Sequence, residues 1–324
     1  MSLIEQASKR LEQLREAGVE MPFLPGAGLL NPVATPVRTP MGQAPGNSPF
    51  KAPGAVPVAT VAHAAPQAPT TQLRVDDTQL ADLDLARLAQ ANFLVTGFEK
   101  PENDVWQSLS RDFKCIKRPL IDNINGKTAG AIARANLVLL TSALPSEGKT
   151  YCAINLAMSM AAEVDRTVLL IDADVVRPSI GETLGLKGKR GLLDLLADPS
   201  VDPAELIFRT NIDKFAVMPA GMPRANSAEL LASNAMNDLL ERLAAQSKDL
   251  MVIIDAPPLL PTAEARILAR LVGQVVMIVE AGKTTRNVVG EAFAAIESCP
   301  VVLSVLNKRS AVLRKTQYGY GYGY

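Results

Sequence analysis

The chain predicts a doubly wound α/β domain with a mostly parallel sheet, carried behind an unstructured N-terminal arm. Three observations point there. Short apolar runs alternate with segments of helical spacing from residue 104 onward, four of those runs are nearly continuous in Val, Ile, Leu and Met, and a Pro/Ala-rich stretch precedes them. With 324 residues, 48% apolar and 20% charged, one substantial core can be buried, while 23 prolines and few aromatics mark a portion that is not.

Taken in order, residues 1–18 come first, with Leu3, Ile4, Ala7, Leu11 and Leu14 on one helical face, Ser2 and Glu5 spaced as a capping box and Gly18 as a stop. This predicts an amphipathic docking helix, too short to be stable alone in water. Residues 19–72 carry few charges and no periodicity, as in Ala52-Pro53-Gly54 and Val56-Pro57, and predict a disordered linker. The only histidine, His63, falls in it, which removes histidine-based catalysis and zinc hydrolysis from consideration.

Residues 73–310 form the predicted domain. Helical spacing runs from about Leu80 to Ala91 and from Asp104 to Leu120, the latter ending in the basic cluster Lys114, Lys117, Arg118 ahead of Pro119. The predicted strands are Leu137–Thr141, Thr167–Asp172, Phe215–Met218, Leu250–Asp255, Gln274–Glu280 and Val301–Leu306, with helices as crossovers. Residues 311–324 are a flexible tail in which Tyr318, Tyr320, Tyr322 and Tyr324 alternate with glycine. Such alternation builds neither helix nor stable strand and keeps each phenol accessible.

Charge and cysteine content narrow the partners. Thirty-three Lys and Arg balance thirty-three Asp and Glu, so no global field draws the chain onto nucleic acid. Cys115, Cys152 and Cys299 are odd in number and lack metal-ligand spacing, which suits a reducing compartment. No run approaches the roughly 20 apolar residues of a membrane span, and Glu5, Lys9 and Arg10 stand where a signal peptide is apolar. The expected location is the cytoplasm.

The chemistry concentrates after the first long strand. Thr141-Ser142-Ala143-Leu144-Pro145-Ser146-Glu147-Gly148-Lys149-Thr150, leading into a helical run at Tyr151–Ala162, has the form GxxxxGK[ST] except that Ala143 replaces the first glycine. Gly148 lets amides approach phosphate oxygens, the helix N-terminus adds partial positive charge, Lys149 can reach the β/γ oxygens, and the Thr150 hydroxyl can ligate Mg²⁺. Ser142, Pro145, Ser146, Glu147 and Tyr151 complete the expected nucleotide-binding segment. Two other strands end in Asp172-Ala173-Asp174 and Asp255-Ala256-Pro257-Pro258. A parallel sheet carries all strand C-termini to one edge, so Asp172, Asp174 and Asp255 should converge on the phosphates, where a cation would relieve their repulsion. The last strand ends on that edge too, and each residue of the tail beyond it spans at most about 3.5 Å, enough to bring a tyrosine to a nucleotide site.

This combination resembles the bacterial tyrosine kinases of polysaccharide export: Ser142-x-x-Pro145-x-Glu147-Gly148-Lys149-Thr150, Leu169-Leu170-Ile171-Asp172-Ala173-Asp174 with Arg177-Pro178, Ile254-Asp255-Ala256-Pro257-Pro258, and the tyrosine cluster. The resemblance covers about Asp104 to Tyr324. Ser2-Leu3-Ile4-Glu5 and Phe113…Ile116-Lys117-Arg118-Pro119-Leu120 are similar to the exosortase-associated autokinases within the family. It implies a P-loop NTPase fold of MinD/ParA type, ATP and Mg²⁺ as cofactors, Lys149, Asp172 and Asp174 as catalytic residues, and Thr150, Asp172 and, through water, Asp255 as metal ligands. It further implies Tyr318, Tyr320, Tyr322 and Tyr324 as acceptors, with Asp174 orienting or deprotonating the incoming phenol.

As partners it implies a homo-oligomer, an opposing tyrosine phosphatase and a separate membrane-embedded chain-length regulator as activator, which would hold the enzyme beside the inner membrane. The head helix and Lys114–Arg118 are the candidate contacts. A modified tail would be repelled from the acidic edge and released. One departure concerns assembly: the family's Glu-x-x-Arg-x-x-Arg pattern falls on Arg111, Lys114 and Lys117, with Asp112 the nearest acid. Ala143 and Thr262-Ala263-Glu264, where relatives commonly carry an aspartate, are milder ones. The alternatives are a ParA/MinD-type positioning ATPase, whose early loop lysine is Leu144 here, and a non-catalytic nucleotide-binding regulator.

Overall fold

A computed structural model describes residues 79–95, 104–128, 130–247 and 249–309. The expected head helix, the linker with His63 and the tyrosine tail lie outside the described residues. One sheet of eight strands forms the middle layer: β1 (Gln79–Ala81), β2 (Leu137–Ser142), β3 (Thr167–Asp172), β4 (Phe208–Thr210), β5 (Phe215–Met218), β6 (Leu250–Asp255), β7 (Gln274–Glu280) and β8 (Val301–Asn307). Their order is β1-β4-β5-β3-β6-β2-β7-β8, and every pairing is parallel except β4 with β5.

The doubly wound reading holds because the inner strands are apolar on both faces. In β2, Leu137 and Leu139 join one buried cluster while Val138 and Leu140 join the other. The first layer is closed by α5 (Leu192–Ala197), α6 (Ser227–Leu231), α7 (Asn234–Gln246), α8 (Glu264–Ala269) and α9 (Arg286–Ala294). The second is closed by α1 (Leu85–Gln90), α2 (Asp104–Ile124) and α3 (Lys149–Ala161), with the single turn α4 (Ile180–Thr183). Among the described residues no helix is long and apolar enough to cross a membrane.

Three sequence expectations need correction. The helix expected over Leu80–Ala91 is only Leu85–Gln90, because Asp84 caps it by accepting the Arg87 amide at 3.0 Å, while Gln79–Ala81 pairs with β4 as an edge strand. The second helix does not end at Leu120 but runs on to Ile124, with Pro119 inside it. A proline there forfeits the bond to the Cys115 carbonyl. The stripe Phe113, Lys117, Leu120 and Ile121, buried at helical spacing, outweighs that loss. Lys117 also leaves the surface cluster in which the sequence placed it. Its ammonium is buried, donates to the Ser159 carbonyl at 2.7 Å and pairs with Glu163 at 2.6 Å, so it ties α2 to α3.

Candidate active site

The strand-to-helix turn after β2 is built around two residues in left-handed conformation, Ser146 (φ 68°) and Gly148 (φ 95°). Gly148 tolerates this at no steric cost. The helix α3 starts at Lys149, two residues earlier than its apolar pattern suggested, so the first-turn amides open onto the loop.

Glu147, expected in the nucleotide-binding segment, has its carboxylate engaged within the protein and leaves its main chain for phosphate. It is buried and accepts the Leu144 amide at 2.7 Å, the Glu280 amide at 3.2 Å and the Thr284 hydroxyl. Its role is to brace the turn. Ser142 likewise closes the turn by donating to the Leu144 carbonyl at 2.7 Å, whereas Pro145 and Ser146 are exposed. Tyr151 spends its hydroxyl on the Asn92 carbonyl at 2.8 Å and its ring on Phe93, which leaves its main chain for the helix N-terminus.

The three strand-end acids do converge. Asp172 and Asp255 are register partners across β3 and β6. Lys149 is ion-paired with Asp174, and the Thr150 hydroxyl donates to Asp255 Oδ2 at 2.6 Å and accepts from Ser179 at 3.1 Å. Asp172 accepts the amides of Asp174 at 3.2 Å, Ser179 at 3.2 Å and Ile180 at 3.0 Å, thereby fixing the turn that carries Asp174. Asp174 in turn accepts the Arg177 amide at 3.0 Å.

Crowding these groups shifts their titration. Burial, with the neighbouring Asp255 charge second, pushes the Asp172 carboxyl up to about 8. Burial also raises Asp255, to about 6, partly offset by Lys149 and Thr150. For Lys149 burial alone would lower the value, but the charges of Asp255, Asp174 and Asp172 outweigh it and hold the ammonium above its ordinary range. Cys152, one turn into the helix, is pushed up to about 12 by burial and is chemically inert.

The donor set fits Mg²⁺ held jointly with phosphate oxygens. Asp255 Oδ1 is buried with no hydrogen-bond partner among the described residues, and the Thr150 hydroxyl stands on the same carboxylate. Among the described residues no group of three or more His, Cys, Asp or Glu could hold a metal by itself. That agrees with an ion that takes one or two protein oxygens and completes its shell with phosphates and water. Both Asp172 oxygens already accept amides, so Asp255 has the freer oxygen.

Sequence reasoning missed Ser179, Glu280, Thr284, Asn307 and Lys308, all of which hold this loop or its acids. Asn307 Nδ2 donates to the Glu147 carbonyl at 2.8 Å, and Lys308 Nζ to the Ser146 carbonyl at 2.6 Å. The available signal was their place directly after the apolar run of β8, on the edge where the loop lies.

Fold and site together define a P-loop nucleotide-binding α/β protein. No family model matches the chain. It is 33% identical over 184 residues to the tyrosine-protein kinase YwqD of Bacillus subtilis, covering 56% of this chain and 76% of that one. It is also 33% identical over 184 residues to the succinoglycan biosynthesis transport protein ExoP of Rhizobium meliloti, covering 54% of this chain and 22% of that one. Among solved structures, the kinase domain of VpsO superposes with a TM-score of 0.53 at 28% identity, covering 62% of this chain and 96% of that one. The chain spans three quarters of YwqD but only about a quarter of longer relatives such as EpsB, AmsA and Wzc. It belongs to the bacterial tyrosine-protein kinase family.

Proposed function

We propose that the chain is an ATP-dependent protein-tyrosine autokinase that phosphorylates Tyr318, Tyr320, Tyr322 and Tyr324 of another copy of itself, and thereby regulates exopolysaccharide synthesis or export. The observation that carries this reading is the buried acid cluster beside the phosphate loop, with Lys149 paired to Asp174 and one Asp255 oxygen left without a partner.

The residues divide the work as follows. The loop amides and the α3 N-terminus bind the phosphates, and Lys149 neutralises oxygens of the transferring group. When Lys149 turns to the phosphates, its ion pair with Asp174 opens. Asp174 then accepts the proton of a phenol whose ordinary pKa is about 10, and holds that oxygen in line. Asp172 keeps the Asp174 turn in place through the amides of Asp174, Ser179 and Ile180. Mg²⁺, held by Thr150 and Asp255 with Asp172 beside them, supplies charge neutralisation on the phosphate oxygens when bound.

The proposal extends to the surroundings: a homo-oligomer, a separate membrane-embedded chain-length regulator as activator, an opposing phosphatase, and a cytoplasmic position at the inner membrane through the activator. ExoP, a relative named for biosynthesis and transport of succinoglycan, supports the link to polysaccharide. A ParA/MinD-type positioning ATPase or a non-catalytic regulator gives the tyrosine cluster no role. The test mixes a Lys149→Met chain that keeps its tyrosines with an active chain carrying Phe at the four positions, in γ-labelled Mg·ATP. Label on the inactive chain's tyrosines is the expected result, and its absence with activator present rules the reading out.

A further inference from the structure

The phosphate loop is gripped from outside by the end of the sheet's last strand. Asn307 and Lys308 each donate to one carbonyl of the loop, those of Glu147 and Ser146, at 2.8 and 2.6 Å. Lys308 also pairs with Glu280 at 3.1 Å, and the Glu280 amide donates to Glu147 Oε1. The approach is close: a Cβ on Gly148 would stand 2.3 Å from Asn307 Nδ2. With left-handed residues at 146 and 148, the peptide groups of the turn are oriented so that amides can gather on one side as an anion-binding concavity. These contacts from Asn307, Lys308 and Glu280 fall on loop carbonyls and on the Glu147 carboxylate, and none of them takes up a loop amide.

We infer that Asn307 and Lys308 are positioning residues for the nucleotide: by engaging two successive carbonyls they keep the loop's amides aimed at the phosphates. The inference rests on the kinase reading only for the identity of the ligand, Mg·ATP. Support from behind the loop acts on bound phosphates before and during transfer alike, so its loss is a loss of uniform binding. Removing either donor should raise the KM for Mg·ATP about tenfold and leave kcat within about twofold.

The test uses the full chain. Mg·ADP affinity by calorimetry, the melting temperature without nucleotide, and phosphotransfer kinetics are compared for wild type, Lys308→Met, Lys308→Arg, Asn307→Ala and Asn307→Asp. The expected pattern is about tenfold weaker Mg·ADP binding in Lys308→Met and Asn307→Ala, at an unchanged melting temperature. Lys308→Arg, which keeps a cationic donor, recovers most of the loss. Asn307→Asp, which sets an acceptor against the Glu147 carbonyl, binds more weakly than Asn307→Ala. Wild-type affinity in both truncations overturns the inference, as does weakening matched by a fall in melting temperature, which assigns the pair to folding. Failure of the kinase reading looks different: Mg·ADP binding still depends on the two residues while no tyrosine is labelled.

Discussion

The two ends of the central strands treat buried polar groups in opposite ways. At the N-terminal ends of β2 and β7 they are neutral amides bonded within the protein. Gln274, fully buried, accepts from Asn123 at 2.7 Å and donates to the Ala135 and Leu120 carbonyls at 2.6 and 3.3 Å, while Asn136 donates to the Leu250 carbonyl at 3.2 Å. At the C-terminal ends they are carboxylates, two of them held above their ordinary pKa, with one oxygen unpartnered. Neutral amides satisfied by carbonyls hold the layers together at little electrostatic cost. Clustered carboxylates leave the apo protein with a destabilised edge that a cation and phosphates relieve.

The comparison can be broken most forcefully at Lys149. Lys149→Met should lower tyrosine phosphotransfer by at least about 10³-fold, measured with labelled ATP, because the loop's cation is lost where transition-state charge develops. Retention of a tenth of the activity would contradict the role given to the acidic edge. The next effect is at the opposite end. Gln274→Leu strands the Asn123 amide and should cost about 2–4 kcal/mol in urea denaturation, with activity per folded molecule unchanged.

The acidic edge also sets a pH dependence. Asp172 at about 8 and Asp255 at about 6 lie above the unfolded value near 3.9, so the folded state holds more protons between those limits. Their contribution to stability is therefore full below pH 4 and is lost as pH rises through 6 and 8. Melting scans of nucleotide-free protein should show this fall above pH 5, and Asp255→Asn should flatten it and raise apo stability by roughly 1–3 kcal/mol while impairing transfer. A pH slope in Asp255→Asn as steep as that of the wild type would show that the edge is not the source. The smallest effect is expected at Lys117, where Lys117→Met keeps the packed stem but loses the Ser159 and Glu163 contacts, costing about 1 kcal/mol in thermal unfolding.

Legibility in the sequence followed the length of the signal. β3, β5, β6 and β7 were readable to the residue because strands covered on both faces are apolar along nearly their whole length, with polar residues only at their ends. The phosphate loop and the edge acids were readable because their chemistry is local to a strand end. β1 and β4 were not, since each has three residues and exists through pairing with a neighbour. Lys117 looked like one member of a charged surface cluster, and only the packing of α2 on α3, with Glu163 within reach, shows why it is buried. Asn307 and Lys308 act on residues 160 and 162 positions away, a relation that no local pattern carries.

The bracing pair stands at the close of β8, ahead in sequence of Tyr318, Tyr320, Tyr322 and Tyr324. On the proposed reading, a protease that trims the chain just past Arg309 would spare the nucleotide grip while deleting all four phenols. The product would be a one-way copy, able to give phosphate but not to receive it, and a minority of such copies would skew modification toward their intact neighbours.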